Sequence, residues 1–170
     1  VRRVTAAIAI VLLVATAGCL GIGAGNGDAG PPDEGAALED APANATGATQ
    51  TVQVAVNDST AGEEWGSIAV RYPRDRFTVE SAAHGNVSLG VDTDADGEVE
   101  ERFNGTHVSG VNTNDYSFTI SLDTGYTLER GDVIVVEYPA VDTPEEAGTY
   151  DVAVTVNDAD PVNASVTVGE

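Results

Sequence analysis

Residues 91–101 read VDTDADGEVEE. Asp92, Asp94 and Asp96 stand at alternate places, Gly97 follows, and Glu98, Glu100 and Glu101 add three further carboxylates. In a tight loop, alternate aspartates turn their oxygens to one side, and a glycine permits the bend that brings them together. Carboxylates gathered in this way repel one another, and a hard divalent cation relieves the repulsion. The chemistry on offer is therefore oxygen coordination of an ion such as Ca²⁺, with Asp92, Asp94, Asp96, Glu98 and Glu100 as candidate metal ligands. A plainer reading stays open beside it: a solvated hairpin turn in which Asp and Gly supply the turn conformations.

The spacing resembles the first half of an EF-hand calcium loop, D-x-D-x-D-G, with the Glu98 carbonyl at the backbone-ligand place and Val99 at the apolar place after it. The second half departs from that pattern. Phe103 occupies the twelfth place, where the loop should carry a bidentate glutamate. Val87-x-Leu89-x-Val91 before the acids and Val99-x-x-x-Phe103 after them read as strands, where the motif has helices. The expectation is a half calcium loop at a hairpin tip, closed by Glu100 or Glu101. Its ion would staple the hairpin, since no water-activating partner accompanies it.

Other residues with chemical capacity are few. His84 (AAHGN) and His107 (GTHVS) are the only histidines and sit in loop-like contexts, without the third ligand a metal site needs. Arg71, Arg74 and Arg76 gather in RYPRDRF, a cluster suited either to local ion pairs or to an anionic sugar or a partner's carboxylates. Trp65 reads as a core or edge plug. Asn44, Asn57, Asn86, Asn104 and Asn163 each head an N-x-S/T sequon, which suits an exported, N-glycosylated chain.

The composition sets the surroundings. Of 170 residues, 28 are Asp or Glu and 7 are basic, for a net charge of -21, and every basic residue is arginine. Short-stemmed carboxylates hold water and cations, whereas the long apolar stem of lysine dehydrates poorly when salt competes for water. Such a surface suits molar salt, where the screening length falls to roughly 3 Å and like-charge repulsion fades. A halophilic setting is expected, and a nucleic-acid partner is not, because a duplex would be repelled. Disorder fits poorly, since 42% of residues are hydrophobic and the later ones alternate.

Residues 1–19, VRRVTAAIAIVLLVATAGC, place Arg2 and Arg3 before an apolar run from Val4 to Ala17, then small residues and Cys19. The run is short for a membrane span and has the build of a secretory signal. The paired arginines point toward export after folding. Thr16-Ala17-Gly18-Cys19 resembles the lipobox of secreted lipoproteins. That resemblance implies cleavage after Gly18 and lipidation of Cys19, hence an exported protein held by its lipid at the outer face of the cell membrane. As the only cysteine, Cys19 also leaves no internal disulfide.

Residues 19–50, rich in Gly, Ala, Pro and acid, bury too little to offset the entropy of ordering and are expected to form a flexible tether. From Thr51 to the end the period is two: Val52, Val54, Val56; Ile68, Val70; Phe77, Val79; Phe118, Ile120, Leu122; Val133 to Val136; Tyr150, Val152, Val154, Val156; Val162, Ala164, Val166, Val168. Eight to ten short strands across 51–170 predict an all-β, antiparallel β-sandwich. The stretch PEEAGTYDVAVTV resembles the penultimate strand of immunoglobulin-like domains, where a tyrosine caps the corner through its hydroxyl. The resemblance implies that role for Tyr150, with Val152 standing where antibody domains carry a cysteine. GDVIVVEYPAVDTPEEAGTYDVAVTVND is similar to segments of secreted and surface proteins of haloarchaea, a likeness that covers roughly Gly131 to the end, supports the Ig-like fold and brings no catalytic residue with it.

These features describe a lipid-anchored, non-enzymatic envelope protein that presents an Ig-like domain for adhesion, assembly or scaffolding, with an envelope protein or glycan as partner. A blue-copper carrier is excluded by its ligands: methionine is absent and the single cysteine belongs to the lipobox. An extracellular ligand- or solute-binding protein and a small secreted hydrolase remain the alternatives, although no Ser-His-Asp spacing stands out.

Overall fold

The computed structural model describes residues 31–169. The signal segment, the lipobox and Cys19 lie outside the described residues. The elements are β1 (Ala36–Leu38), β2 (Ala41–Pro42), β3 (Ala48–Ala55), β4 (Ser67–Arg71), β5 (Thr78–Val79), β6 (Ser88–Asp92), β7 (Glu101–Phe103), β8 (Val108–Asn114), β9 (Ser117–Leu122), β10 (Val133–Asp142), β11 (Gly148–Val156) and β12 (Val162–Gly169), with two single 3-10 turns at His84–Asn86 and Gly105–His107.

Period-two alternation forces a two-sheet solution, because each strand carries one apolar face that needs cover. One sheet runs β1-β3-β10-β6-β7, with β5 against the far end of β10; the other runs β2-β12-β11-β4-β9-β8. Across the first sheet, Val52, Val136, Leu89 and Phe103 form one paired row. Across the second, Val154, Val70 and Phe118 do the same. These rows face each other, and their side chains are buried apart from the half-buried Phe103. Phe118 of one sheet stacks on Tyr138 of the other with ring centroids 4.0 Å apart and planes 6° from parallel.

The strand order is that of an immunoglobulin-like sandwich. β1, β3, β10 and β6 take the places A, B, E and D, while β4, β11 and β12 take C, F and G. The β8–β9 hairpin falls in sequence between D and E and extends the second sheet beyond C. All pairings are antiparallel except β2 with β12. The corner tyrosine is in place: the Tyr150 hydroxyl, at the start of β11, donates to the Glu146 carbonyl at 2.6 Å. Val152 fills the cysteine position and is buried, so packing takes over from the bridge. Removing the corner bond by Tyr150→Phe is expected to cost about 0.5–1.5 kcal/mol, read as a lower denaturant midpoint at unchanged slope.

Two sequence expectations are corrected. The sandwich begins at Ala36, within the stretch 19–50 expected to be tether: β1 pairs with β3, placing the buried Leu38 opposite Val52, and β2 joins β12. Residues 36–50 carry little apolar bulk of their own, and strands already formed by β3 and β12 hold them. Val99 is not part of a strand; its side chain covers Gly90 on the outer face of β6, so closely that a Cβ there would stand 2.3 Å from Val99 Cγ1. Any larger residue at position 90 would displace the end of the acidic loop.

Trp65 is fully buried, in edge-on contact with Phe103 at 5.6 Å, as expected of a core plug. Its indole N–H and the Tyr72 hydroxyl are buried without a hydrogen-bond partner. Burial, then the neighbouring Tyr138, pushes the Tyr72 phenol well above its ordinary range.

Candidate functional site

The acidic stretch is the loop of the β6–β7 hairpin, with Leu89 opposite Phe103 and Val91 opposite Glu101. Asp92, the last residue of β6, is 1% exposed, an unusual position for a carboxylate. Its burial is compensated by three backbone N–H groups: Asp94 and Asp96 donate to Oδ1 at 3.3 Å each, and Gly97 donates to Oδ2 at 2.8 Å. The chain can curl round this carboxylate because Ala95 (φ +56°) and Gly97 (φ +95°) adopt the left-handed region. Glu98 donates its N–H to Asp96 Oδ1 at 2.8 Å, and Glu100 Oε2 accepts from the Thr93 backbone N–H at 2.9 Å. The loop is thus a set of Asx-type turns wound about Asp92.

The winding brings one carboxylate oxygen each of Asp92, Asp94, Asp96 and Glu100 within 4.8 Å of one another. Calcium–oxygen bonds run about 2.3–2.6 Å, so two oxygens on opposite sides of one ion stand roughly 5 Å apart, and the set fits a single calcium shell. The Glu98 carboxylate is not in this group; its place in the loop pattern is that of a backbone-carbonyl ligand. Glu101 leads β7 opposite Val91, which leaves Glu100 as the closing acid. Phe103 could not be a ligand: its ring packs on Trp65, His107 and Tyr126, and the hairpin needs that apolar contact in place of a glutamate.

The electrostatics agree with crowding. The Asp94 carboxyl is raised above the usual carboxylate range by partial desolvation within the loop, then by the charges of Asp96 and Glu100. Four acids form the group, so a cation is the ligand this arrangement can hold.

The remaining candidates take structural or surface places. His107 Nδ1 accepts the Asn104 N–H at 3.3 Å and closes a capping box over its 3-10 turn. Neither histidine joins a metal-capable group among the described residues. Arg76 pairs with Glu146 at 2.9 Å, and Arg74 lies over the Tyr116 ring. All five sequon asparagines are exposed. At Asn57 and Asn104 the side-chain oxygen accepts both the N–H and the hydroxyl of the sequon Ser59 or Thr106, the hydroxyl contact being 2.6 Å in each. Tyr116 and Asp115, at the β8–β9 turn, were not singled out from the sequence. Tyr116 meets Arg74 across 42 residues of chain, a separation no local pattern reveals.

No protein-family model matches the chain, and no curated protein gives a significant match. Solved structures resemble it in fold. The collagen-binding subdomain of the Enterococcus faecalis surface protein ACE is 16% identical with a TM-score of 0.40, over 80% of this chain and 97% of that one. The collagen-binding domain of the Erysipelothrix rhusiopathiae surface protein RspB is 9% identical with a TM-score of 0.46, over 81% of this chain and 46% of that one. The bacterial hydrophobin BslA is 14% identical with a TM-score of 0.39, over 79% and 98%. At such identities and scores no ligand or activity passes from these proteins to this one.

Proposed function

We propose that the protein is a non-enzymatic envelope component, exported, held by a lipid on Cys19 and presenting its Ig-like sandwich in high salt for adhesion, assembly or scaffolding. The carrying observation is where the chemically capable side chains go. Asp92 holds three loop N–H groups, His107 caps a turn, and the buried Asp132 accepts both the Tyr126 hydroxyl and the Glu129 N–H at 2.9 Å. Asn157 accepts the N–H groups of Gly66 and Ser67 and so ties the start of β4 to the end of β11. These groups hold a scaffold rigid, and rigidity is what a presenting domain requires. A calcium ion on Asp92, Asp94, Asp96 and Glu100 would add a staple of the same kind.

The anchor is tested by Cys19→Ser in the native host. The expected outcome is an uncut precursor or release of the protein from the membrane fraction. Unchanged processing together with unchanged membrane retention would remove the lipoprotein reading.

A further inference from the structure

The end of the sandwich opposite the acidic loop carries an open groove of about 380 Å³, within the span of roughly 300–1,000 Å³ usual for small-molecule sites. The 73–78 loop forms one wall with Arg74, Asp75, Arg76 and Thr78; the β8–β9 turn forms the other with Asp115 and Tyr116. Backbone bonds join the two walls, from Tyr72 N–H to the Tyr116 carbonyl at 2.9 Å and from Val79 N–H to the Asp115 carbonyl at 3.0 Å.

Arg74 is the unusual residue. Its guanidinium carbon sits 4.3 Å from the centroid of the Tyr116 ring, and its Nη2 donates to the Tyr116 hydroxyl. The two ion pairs among the described residues belong to Arg76 and Arg130. In a chain with four times as many acids as bases, an arginine that stacks on an aromatic face and forms no ion pair is a planar cation with most of its five N–H donors open. Beside it Asp75 is held at φ +64°, at the bend between the two arginines.

From this groove we infer a binding site for an acidic sugar, a hexuronate within a glycan. Arg74 offers the planar, two-point contact a carboxylate takes. Asp75 and Asp115 offer acceptors for ring hydroxyls, which a sugar brings beside its carboxylate and an acidic peptide does not. The Tyr116 ring, under the guanidinium, holds Arg74 at the groove wall. Pro31, where the described chain begins, lies against Gly97 in the acidic loop, at the other end of the sandwich from the groove. The inference rests on the envelope-surface reading and gives it a ligand class.

The test is titration of the full chain, in detergent at fixed molar KCl, with trigalacturonate, with a neutral galactose trisaccharide and with a short polyglutamate peptide, followed by NMR shifts or calorimetry. Trigalacturonate alone should bind, and Arg74→Gln should weaken it about ten-fold or more with the dichroism spectrum unchanged. Arg74→Lys, which keeps the charge and loses the planar fork, should also weaken it. No binding of trigalacturonate, equal binding of the neutral sugar, or retained affinity in Arg74→Gln overturns the assignment; binding of polyglutamate in its place makes the groove a protein site. Each of these outcomes leaves the membrane anchor untouched, whereas the Cys19→Ser result bears on the anchor and not on the groove.

Discussion

Diluting the purified protein from molar salt to about 0.1 M is expected to abolish its cooperative fold. The chain carries a net charge of -21. Its described residues contribute only two ion pairs, Arg76–Glu146 and Arg130–Asp58, both on exposed side chains. Exposed pairs contribute little, typically below about 1 kcal/mol, so they do not offset the repulsion among the other acids. That repulsion is short-ranged near 1 M salt, where the screening length is roughly 3 Å, and reaches across neighbouring loops at 0.1 M, where it is roughly 10 Å. The opposing term is modest: the core is built largely from valine, a small side chain, and no disulfide is possible with one cysteine. Stabilities of about 5–15 kcal/mol are ordinary for such domains, so a distributed repulsion of several kcal/mol is enough to unfold this one. Far-UV dichroism melts across a KCl series should show the thermal midpoint falling with salt and the transition lost at the low end. Equal midpoints at molar and 0.1 M salt would show that the acidic surface is not a salt requirement.

The sandwich was legible because burial of one face writes itself into the strand as period two, and β3, β4, β9, β11 and β12 all show it. Tyr150 was legible for a different reason, since the corner is local: its hydroxyl reaches only four residues back, to Glu146. The strands that escaped have no such signature. β8 reads VSGVNTN and is an edge of its sheet, where polar side chains suffice. β1 and β2 read AAL and AP, and their strand state comes from pairing with β3 and β12. The same division holds for the sites. The acidic cluster lies within nine consecutive residues and could be read from spacing, which brought Asp92, Asp94, Asp96 and Glu100 together. The groove of Arg74 could be half read: the arginines are adjacent in sequence, while Tyr116 and Asp115 reach them only through the pairing of β4 with β9.

Calcium, added at constant high ionic strength, should raise the melting temperature, and substitutions in the β6–β7 loop should separate according to what each carboxylate does. With the closing glutamate of the full motif absent, the dissociation constant should fall at about 10⁻⁴ to 10⁻³ M, as in extracellular calcium modules. Calcium at 10 to 100 times that value would then stabilise the fold by about 1.4 to 2.7 kcal/mol, a rise of roughly 5 to 10 °C for a domain of this size. Asp94 provides the sign. Its carboxyl is raised in the folded state, so the fold prefers it protonated. That preference is fully present below the unfolded value near 3.9 and is lost as pH rises through the folded value, leaving the uncompensated repulsion at neutral pH. In chelator at pH 7, Asp94→Asn should therefore melt higher than the wild type, and it should gain much less from calcium. Asp92→Asn should behave in the opposite way in chelator: the buried carboxylate holds the N–H groups of Asp94, Asp96 and Gly97, and weakening those charge-assisted bonds should lower the midpoint by about 1–3 kcal/mol of stability. Glu98→Gln, outside the cluster, should change neither the midpoint nor the calcium response. A calcium effect no larger than that of sodium at equal ionic strength, or a Glu98→Gln variant as unresponsive as Asp94→Asn, would reduce the loop to an acidic turn wound about Asp92.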